Sequence, residues 1–141
     1  MSAMPDTAEF VYLRWSIVAA GVIAVIVVAA WKAHDAIYPP PTRLERTVFC
    51  LKDNHDLVAV VPAGDPISNT ARASSFRVTV EGSEVVVSLA KSESEAAMIE
   101  QSYRAVGGNL EGRLERRGRS VFLWQGVATP TQRQTMYDCE Y

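Results

Sequence analysis

The chain of 141 residues carries 14 basic and 16 acidic side chains, with a formal net charge of −2 and a mean hydropathy of +0.02. From residue 43 onward, twelve basic residues are balanced by thirteen acidic ones, which argues against a nucleic-acid partner because such a partner requires a strongly basic face. Outside its one long apolar segment, about 100 residues remain, enough for one domain and not two.

The apolar segment predicts a membrane span that follows a short tail. Residues 1–9 contain Ser, Pro, Asp and Thr without periodicity, which predicts a disordered tail. Trp15 to Trp31 contains no charge and no proline. As a helix, this run is about 24 Å long, and with Arg14 reaching towards water it extends to about 30 Å, the thickness of a bilayer core. We predict a single transmembrane helix over residues 10–32, surrounded by membrane lipid.

The aromatic residues near the two ends of this segment fit the aromatic belts of membrane proteins: Phe10, Tyr12 and Trp15 before it, and Trp31 and Tyr38 after it. A cleaved signal peptide is an alternative, with Val28-Ala29-Ala30 as the cleavage site, although the region before the apolar run lacks a basic start. A buried core helix is a second alternative, but a helix that is apolar on every side needs protein on every side.

Small residues within the span suggest a contact with another helix. Ala20, Gly21 and Ala24 have the spacing that lets two transmembrane helices approach closely. The alternative is ordinary lipid-facing composition. We predict an integral membrane protein as the partner at this position.

After the span, residues 33–41 are interpreted as a spacer, because three consecutive prolines, Pro39–Pro41, favour a stiff polyproline segment.

Residues 42–141 are predicted to form an α+β domain. Thr42 and Glu45 have the spacing of a capping box, which predicts a helix to about Lys52. Leu57–Val61 predicts a short strand buried on both faces. Residues 62–75 are rich in turn formers and predict a long loop, which is usually mobile or functional.

Alternating apolar residues predict a β-hairpin over residues 76–89. With Gly82 and Ser83 as the turn, Val80 pairs with Val85, Val78 with Val87, and Phe76 with Leu89, all on one face. Glu81 and Glu84 then flank the turn as like charges in solvent. They make no credible acid–base pair, because nothing desolvates either one.

The remaining elements follow similar signals. Ser92 and Glu95 predict a second capping box and a helix ended by Gly107-Gly108. Residues 120–124 predict a strand after the basic turn at 116–119, and Thr129, Pro130 and Gln132 predict the start of a last helix. The sequence therefore indicates a mainly antiparallel sheet packed by helices, with the first and last helices of the domain together.

The two cysteines, Cys50 and Cys139, lie near the two ends of this domain. They are either two buried thiols in a reducing compartment or one disulfide in an oxidising compartment, and we predict the disulfide. Because a disulfide persists in an oxidising compartment, this prediction places the domain outside a bacterial cytoplasmic membrane. The basic residues close to the span, Arg14 before it against Lys32, Arg43 and Arg46 after it, favour the opposite orientation, but long domains cross membranes largely regardless of charge.

Candidate chemistry is sparse. Asp53, His55 and Asp56 could ligate a metal, but such residues also end helices, and no second cluster completes a coordination shell, so we predict no metal site and no cofactor. Cys50 with His55 is a weak candidate for a nucleophile and base. A predicted positive patch, interrupted by Glu115, could meet anionic lipid or an acidic partner, or else is an ordinary solvated hairpin tip; it consists of Arg113, Arg116, Arg117 and Arg119, of which the last three are the predicted partner contacts.

The sequence contains no phosphate-binding loop, nucleophile elbow, zinc-protease motif or C-x-x-C redox motif. We therefore expect a non-enzymatic, single-pass membrane protein whose domain binds another protein, as an accessory subunit of a larger bacterial membrane complex, and we identify no small-molecule substrate. The alternative is a membrane-tethered enzyme or ligand-binding domain whose site assembles around His55, Asp53 or Tyr103 in three dimensions.

Overall fold

A computed structural model describes residues 7–37 and 39–141, with side chains placed from residue 18 onward except at residues 35 and 38. The chain forms two compact units, Met1–Pro40 and Pro41–Tyr141. In the first unit, helix α1 extends from Thr7 to Ile37, so it is longer at both ends than the predicted segment 10–32. Among the described side chains, no helix has the length and apolar character needed to cross a membrane.

Several predictions for the first unit lie outside the described residues. These are the tail up to residue 6 and the aromatic side chains Phe10, Tyr12, Trp15 and Tyr38. Residues 33–37 of the predicted spacer belong to α1, and the exposed prolines Pro39–Pro41 that follow form no regular helix or strand.

The second unit is an α+β domain with a four-stranded antiparallel sheet, which confirms the part of the predicted fold class that concerns this domain. Its helices are α2 (Arg43–His55), α3 (Glu93–Val106) and α4 (Pro130–Asp138), with a short 3₁₀ turn at Ser68–Thr70. Its strands are β1 (Ser74–Val80), β2 (Ser83–Leu89), β3 (Leu114–Arg117) and β4 (Ser120–Trp124), in the spatial order β1-β2-β4-β3.

Local capping signals place the helices where the sequence predicts them. Thr42 and Glu45 form the complete capping box of α2, and Thr129 and Gln132 form that of α4. The second predicted box is only half formed. Ser92 caps α3, but the Glu95 carboxylate accepts hydrogen bonds from the backbone amides of Arg72 (2.6 Å) and Lys91 (3.1 Å) instead of returning to the cap.

The sheet separates two apolar clusters. One face packs against α2 and α4 through the alternating residues of β1 and β2, together with Phe122 and Trp124 of β4. The other face packs against α3 through Ala96, Ile99 and Tyr103, with Val121 and Leu114 from the sheet. Because successive residues of a strand point to opposite faces, β4 contributes to both clusters.

The hairpin of β1 and β2 forms, but its predicted register is wrong by two residues. Val78 pairs with Val85, and Phe76 with Val87, because the two-residue turn is Glu81-Gly82. Both turn residues have positive φ, 48° and 78°, as a type I′ turn requires, and Gly82 adopts that conformation without steric cost. A shift of two residues leaves the same side chains on the same face, so the predicted core face is retained.

The predicted strand at Leu57–Val61 is also wrong. Only Val60 pairs, with Arg77 at the edge of β1, and Leu57 and Ala59 point towards the core while Val58 is 75% exposed. The segment is too short to form a full strand, because α2 ends at His55 and Pro62 lacks the amide that a ladder requires. The predicted loop that follows contains the 3₁₀ turn, and Ser74 and Ser75 belong to β1.

Candidate functional site

The predicted disulfide between Cys50 and Cys139 is confirmed. It joins α2 to the residue that caps α4, with 5.5 Å between the Cα atoms, and both cysteines are buried. Asn54 donates a hydrogen bond to the sulfur of Cys50 at 3.3 Å. Because this sulfur is already bonded to Cys139, the interpretation of Cys50 and His55 as a nucleophile and base is wrong.

The predicted arginine patch is divided by the pleat of the sheet. Arg116 and Arg117 are neighbours on β3 and lie on opposite faces. Arg116 pairs with Glu100 of α3 at 2.9 Å, whereas Arg117 pairs with Glu140 at 3.1 Å and stacks over the Tyr137 ring at 4.2 Å. The structure therefore does not bring these two guanidinium groups together, and each is partly neutralised within the domain.

Arg119 lies in the turn between β3 and β4 with an exposed side chain. Its carbonyl oxygen accepts hydrogen bonds from the amide of Ala90 at 2.9 Å and from Arg43 at 3.2 Å. These hydrogen bonds hold the turn through its backbone. The role of the three arginines in partner contact remains a prediction.

Arg43 connects the start of the domain to its C-terminal end. Its guanidinium donates to the carbonyl oxygens of Ala90 and Tyr141, to the Ser120 hydroxyl at 2.7 Å, and lies 3.8 Å from a Glu140 oxygen. Burial and the nearby charge of Arg119 lower the pKa of Arg43, and Glu140 opposes that shift. Sequence reasoning did not find this role, because all of these partners are more than 40 residues away.

A second polar cluster surrounds Glu115 of β3. Its carboxylate accepts from the Trp124 indole at 3.0 Å and from Arg133 of α4 at 3.1 Å. Burial together with the Glu115 carboxylate raises the pKa of the nearby Tyr137 phenol to about 12. These contacts hold α4 against the sheet.

The segment between Pro62 and Ser74 is attached to α3 at two places. The Tyr103 hydroxyl donates to Asp65 at 2.9 Å, and the same carboxylate oxygen accepts from the amides of Ile67 and Ser68. Glu95, which is buried, holds the far end of the segment through the Arg72 amide. Burial, reinforced by Asp65, raises the pKa of Tyr103 well above its usual range.

The residues proposed for an alternative catalytic or ligand site are not gathered. His55 lies 4.0 Å from Asp138, on the α2 and α4 side of the sheet, whereas Tyr103 belongs to the cluster on the opposite side. Within the described part of the chain, no three His, Cys, Asp or Glu side chains are grouped so that they could hold a metal ion.

One part of the sheet is not covered by a helix. On the side of α3, the hairpin end of β1 and β2 presents Arg77, Thr79 and Glu84 to solvent, with Val86 partly exposed. We call these four residues the hairpin face. A shallow depression of about 160 Å³ overlaps this face and is lined by Glu84, Val86, Arg113, Leu123, Trp124 and Gln125. Alternation along the strands predicts which residues share this face, but sequence alone does not show which part of the sheet α3 covers.

The small residues predicted to contact a partner helix lie on α1. Ala20, Gly21 and Ala24 are exposed, and a methyl group added at Gly21 would meet no atom within 4 Å. The surface at Gly21 is therefore open within the described structure.

Comparison with known proteins provides no relative. No family model matches the chain, and neither a curated protein nor a solved structure matches it.

Proposed function

We propose that the protein is a non-enzymatic, single-pass membrane protein that presents its α+β domain outside a bacterial cytoplasmic membrane and binds another membrane protein there. The observation that carries this proposal is the apolar surface of α1. Its large apolar side chains from Val18 to Trp31 are 54% to 70% exposed. A helix that is apolar on every side is stable in lipid, whereas in water it would need a protein cover.

The disulfide supports the side of the membrane on which the domain lies. Disulfides form and persist in oxidising compartments and are rare in the bacterial cytoplasm. The bond between Cys50 and Cys139 connects the first and last helices of the domain. It therefore favours an extracytoplasmic domain over the orientation suggested by the charges near the span.

Three acidic side chains of the domain are occupied by ion pairs within it. Glu100, Glu115 and Glu140 pair with arginines from other elements. A small cavity lined by Thr47, Phe122 and Met136 measures about 10 Å³, the space of about one water molecule, whereas a wide, open depression lined by Arg104, Gly108 and Glu111 measures about 420 Å³. The narrower proposal is an accessory subunit held by Ala20, Gly21 and Ala24 in the membrane and by the segment from Pro62 to Ser75 outside it.

Membrane anchoring and orientation can be tested together in bacterial cells that express the full chain. We expect the protein to remain in the membrane pellet after alkaline carbonate extraction. We also expect a membrane-impermeant thiol reagent to label Cys50 and Cys139 only after reduction and denaturation from the outside. A variant with Val22→Lys and Ile26→Lys should be released from the pellet, because a central charge costs about 3 kcal/mol. The control Ala36→Lys lies beyond the apolar run and should stay bound.

Recovery of the unaltered chain in the soluble fraction, or labelling without reduction, would contradict the anchored, extracytoplasmic arrangement.

Binding to another membrane protein is tested by purification in mild detergent. A partner at fixed stoichiometry that is lost in Gly21→Leu but kept in Val25→Leu supports the accessory subunit, because only the first change fills a close helix contact. Purification of the chain without any other protein contradicts it.

A further inference from the structure

The hairpin face carries one positive and one negative charge that the rest of the domain does not use. Arg77 and Glu84 are both exposed, and neither side chain has an ion-pair partner among the described residues. Most of the arginines discussed above are instead paired within the domain. The two unpaired charges therefore distinguish this face from the rest of the described surface of the sheet.

The register of the hairpin fixes the arrangement of the four side chains. Arg77 is opposite Val86, and Thr79 is opposite Glu84. On one face of an antiparallel pair, these positions form the corners of a quadrilateral, with strands about 5 Å apart. Arg77 and Glu84 thus occupy one diagonal, and Thr79 and Val86 occupy the other.

This arrangement is complementary to itself. A two-fold axis that lies parallel to the sheet, along the diagonal from Thr79 to Val86, places Arg77 of one copy over Glu84 of the other, and the reverse. The same rotation brings Val86 against Val86 and Thr79 against Thr79. An isologous interface requires such a surface, because each residue must suit its symmetry mate.

We propose that the hairpin face is the contact between two copies of this chain, packed face to face through their sheets. Val60 extends the contact, because it pairs with Arg77 on β1, lies on the same face and is 48% exposed. The same pairing occupies the backbone groups of Arg77, so it blocks edge-to-edge addition of a strand and favours contact through the face.

The contact is small and weak. A handful of side chains buries less than the roughly 1,200 Å² of a stable interface. Anchoring both copies in one membrane would raise their effective concentration, and weak contacts become populated under such conditions. The pairing of Arg77 with Glu84 does not itself depend on the proposed anchor.

A charge-swap experiment on the full chain tests this proposal. Arg77→Glu and Glu84→Arg each create two like-charge contacts across the two-fold axis, so each variant alone should dimerise at least about tenfold more weakly. A mixture of the two variants should form heterodimers, because every contact then joins a Glu to an Arg. The double variant R77E/E84R should form homodimers again for the same reason.

Dimers are measured by photocrosslinking from a benzophenone amino acid at Thr79, in membranes and in mild detergent at matched protein concentration. A benzophenone at Gln101, exposed on α3, is the control and should not yield crosslinked dimers. Thermal unfolding of each charge variant should match that of the original chain, because both side chains are exposed and unpaired.

Absence of crosslinked dimers in the original chain overturns the proposal, as does dimerisation that the single swaps do not weaken. Failure of the mixture to recover the dimer also overturns it. If the chain proves not to be anchored, the same cycle can be followed in solution by sedimentation at high concentration. The outcome for the hairpin face is therefore separate from the outcome for membrane anchoring.

Discussion

At the scale of single residues, the Arg43 guanidinium joins four separate segments of the domain. It lies in the first turn of α2 and donates hydrogen bonds to Ala90 after β2, to Arg119 in the turn before β4, to Ser120 at the start of β4, and to Tyr141 at the end of the domain. Arginine suits this position, because its planar fork presents five donors in fixed directions. The position shows how one long side chain can bind oxygen atoms from separate segments of the chain.

We predict that Arg43→Ala lowers the free energy of unfolding by about 2–4 kcal/mol, because it leaves partly buried acceptors without a donor. Arg43→Lys keeps the charge but cannot reproduce the fork, so more than half of the loss should remain. The measurement is chemical denaturation of the full chain. Arg46→Ala is the matched control on the same helix. Arg46 is exposed and lies 5.6 Å from the Tyr141 ring, so its removal should cost less than about 1 kcal/mol.

Equal effects of Arg43→Ala and Arg46→Ala would show that the Arg43 contacts do not stabilise the domain. A full rescue by lysine would mean that charge, rather than the directed hydrogen bonds, is the stabilising feature.

At the scale of elements, the turn at Glu81-Gly82 determines the register of the hairpin. We predict that Gly82→Ala destabilises the domain by about 1–2 kcal/mol, because Gly82 has a φ of 78° that side chains disfavour. Gly126→Ala is the control. Neither Gly82 nor Gly126 has an atom within 4 Å of an added methyl group, and Gly126 has no strained φ, so its change should stay within about 0.5 kcal/mol. The measurement is the midpoint of thermal unfolding. A cost at Gly126 equal to that at Gly82 would exclude backbone strain as the cause.

The elements with local signals could be predicted from the sequence. The capping residues Thr42 and Thr129 lie within three residues of the groups they bind, and alternation shows which face of the hairpin is buried. The register of the hairpin could not be predicted from the alternation, because two different turns fit it. Both Gly82-Ser83 and Glu81-Gly82 give two-residue turns that keep the apolar residues on one face, and only the φ values distinguish them.

The prediction of a strand at Leu57–Val61 is wrong for a related reason. An apolar run indicates burial but not how many neighbours the segment has, and this segment lies at the edge of the sheet, where only one face is covered. The ion pairs of Arg116 and Arg117 could not be predicted from the sequence either. Glu100 on α3 reaches Arg116 and Glu140 after α4 reaches Arg117, so the structure does not bring these two arginines together in one patch.

At the scale of the whole molecule, the C-terminal segment of the domain is bound to its first helix, α2, and to β3. Arg43 and Arg117 both contact Glu140, Arg46 lies over the Tyr141 ring, and the disulfide attaches Cys139 to α2. Helix α4 is short, at 9 residues, and a helix of this length is marginal in water without tertiary contacts. Its position therefore depends on the disulfide and the surrounding ion pairs acting together.

The disulfide spans a sequence separation of 89 residues, so in the unfolded chain it restricts nearly the whole domain. We predict that replacing Cys50 and Cys139 together by Ala lowers the free energy of unfolding by about 4–5 kcal/mol, as the loss of chain entropy in a loop of this size implies. The dependence of unfolding on denaturant should become steeper, because the unlinked unfolded chain exposes more surface. Urea denaturation of the two proteins measures both quantities, and reduction of the original chain should reproduce the values of the double variant. If the variant lost stability without the steeper dependence, the bond would act through packing between α2 and α4 in the folded state, and the entropic account would be wrong.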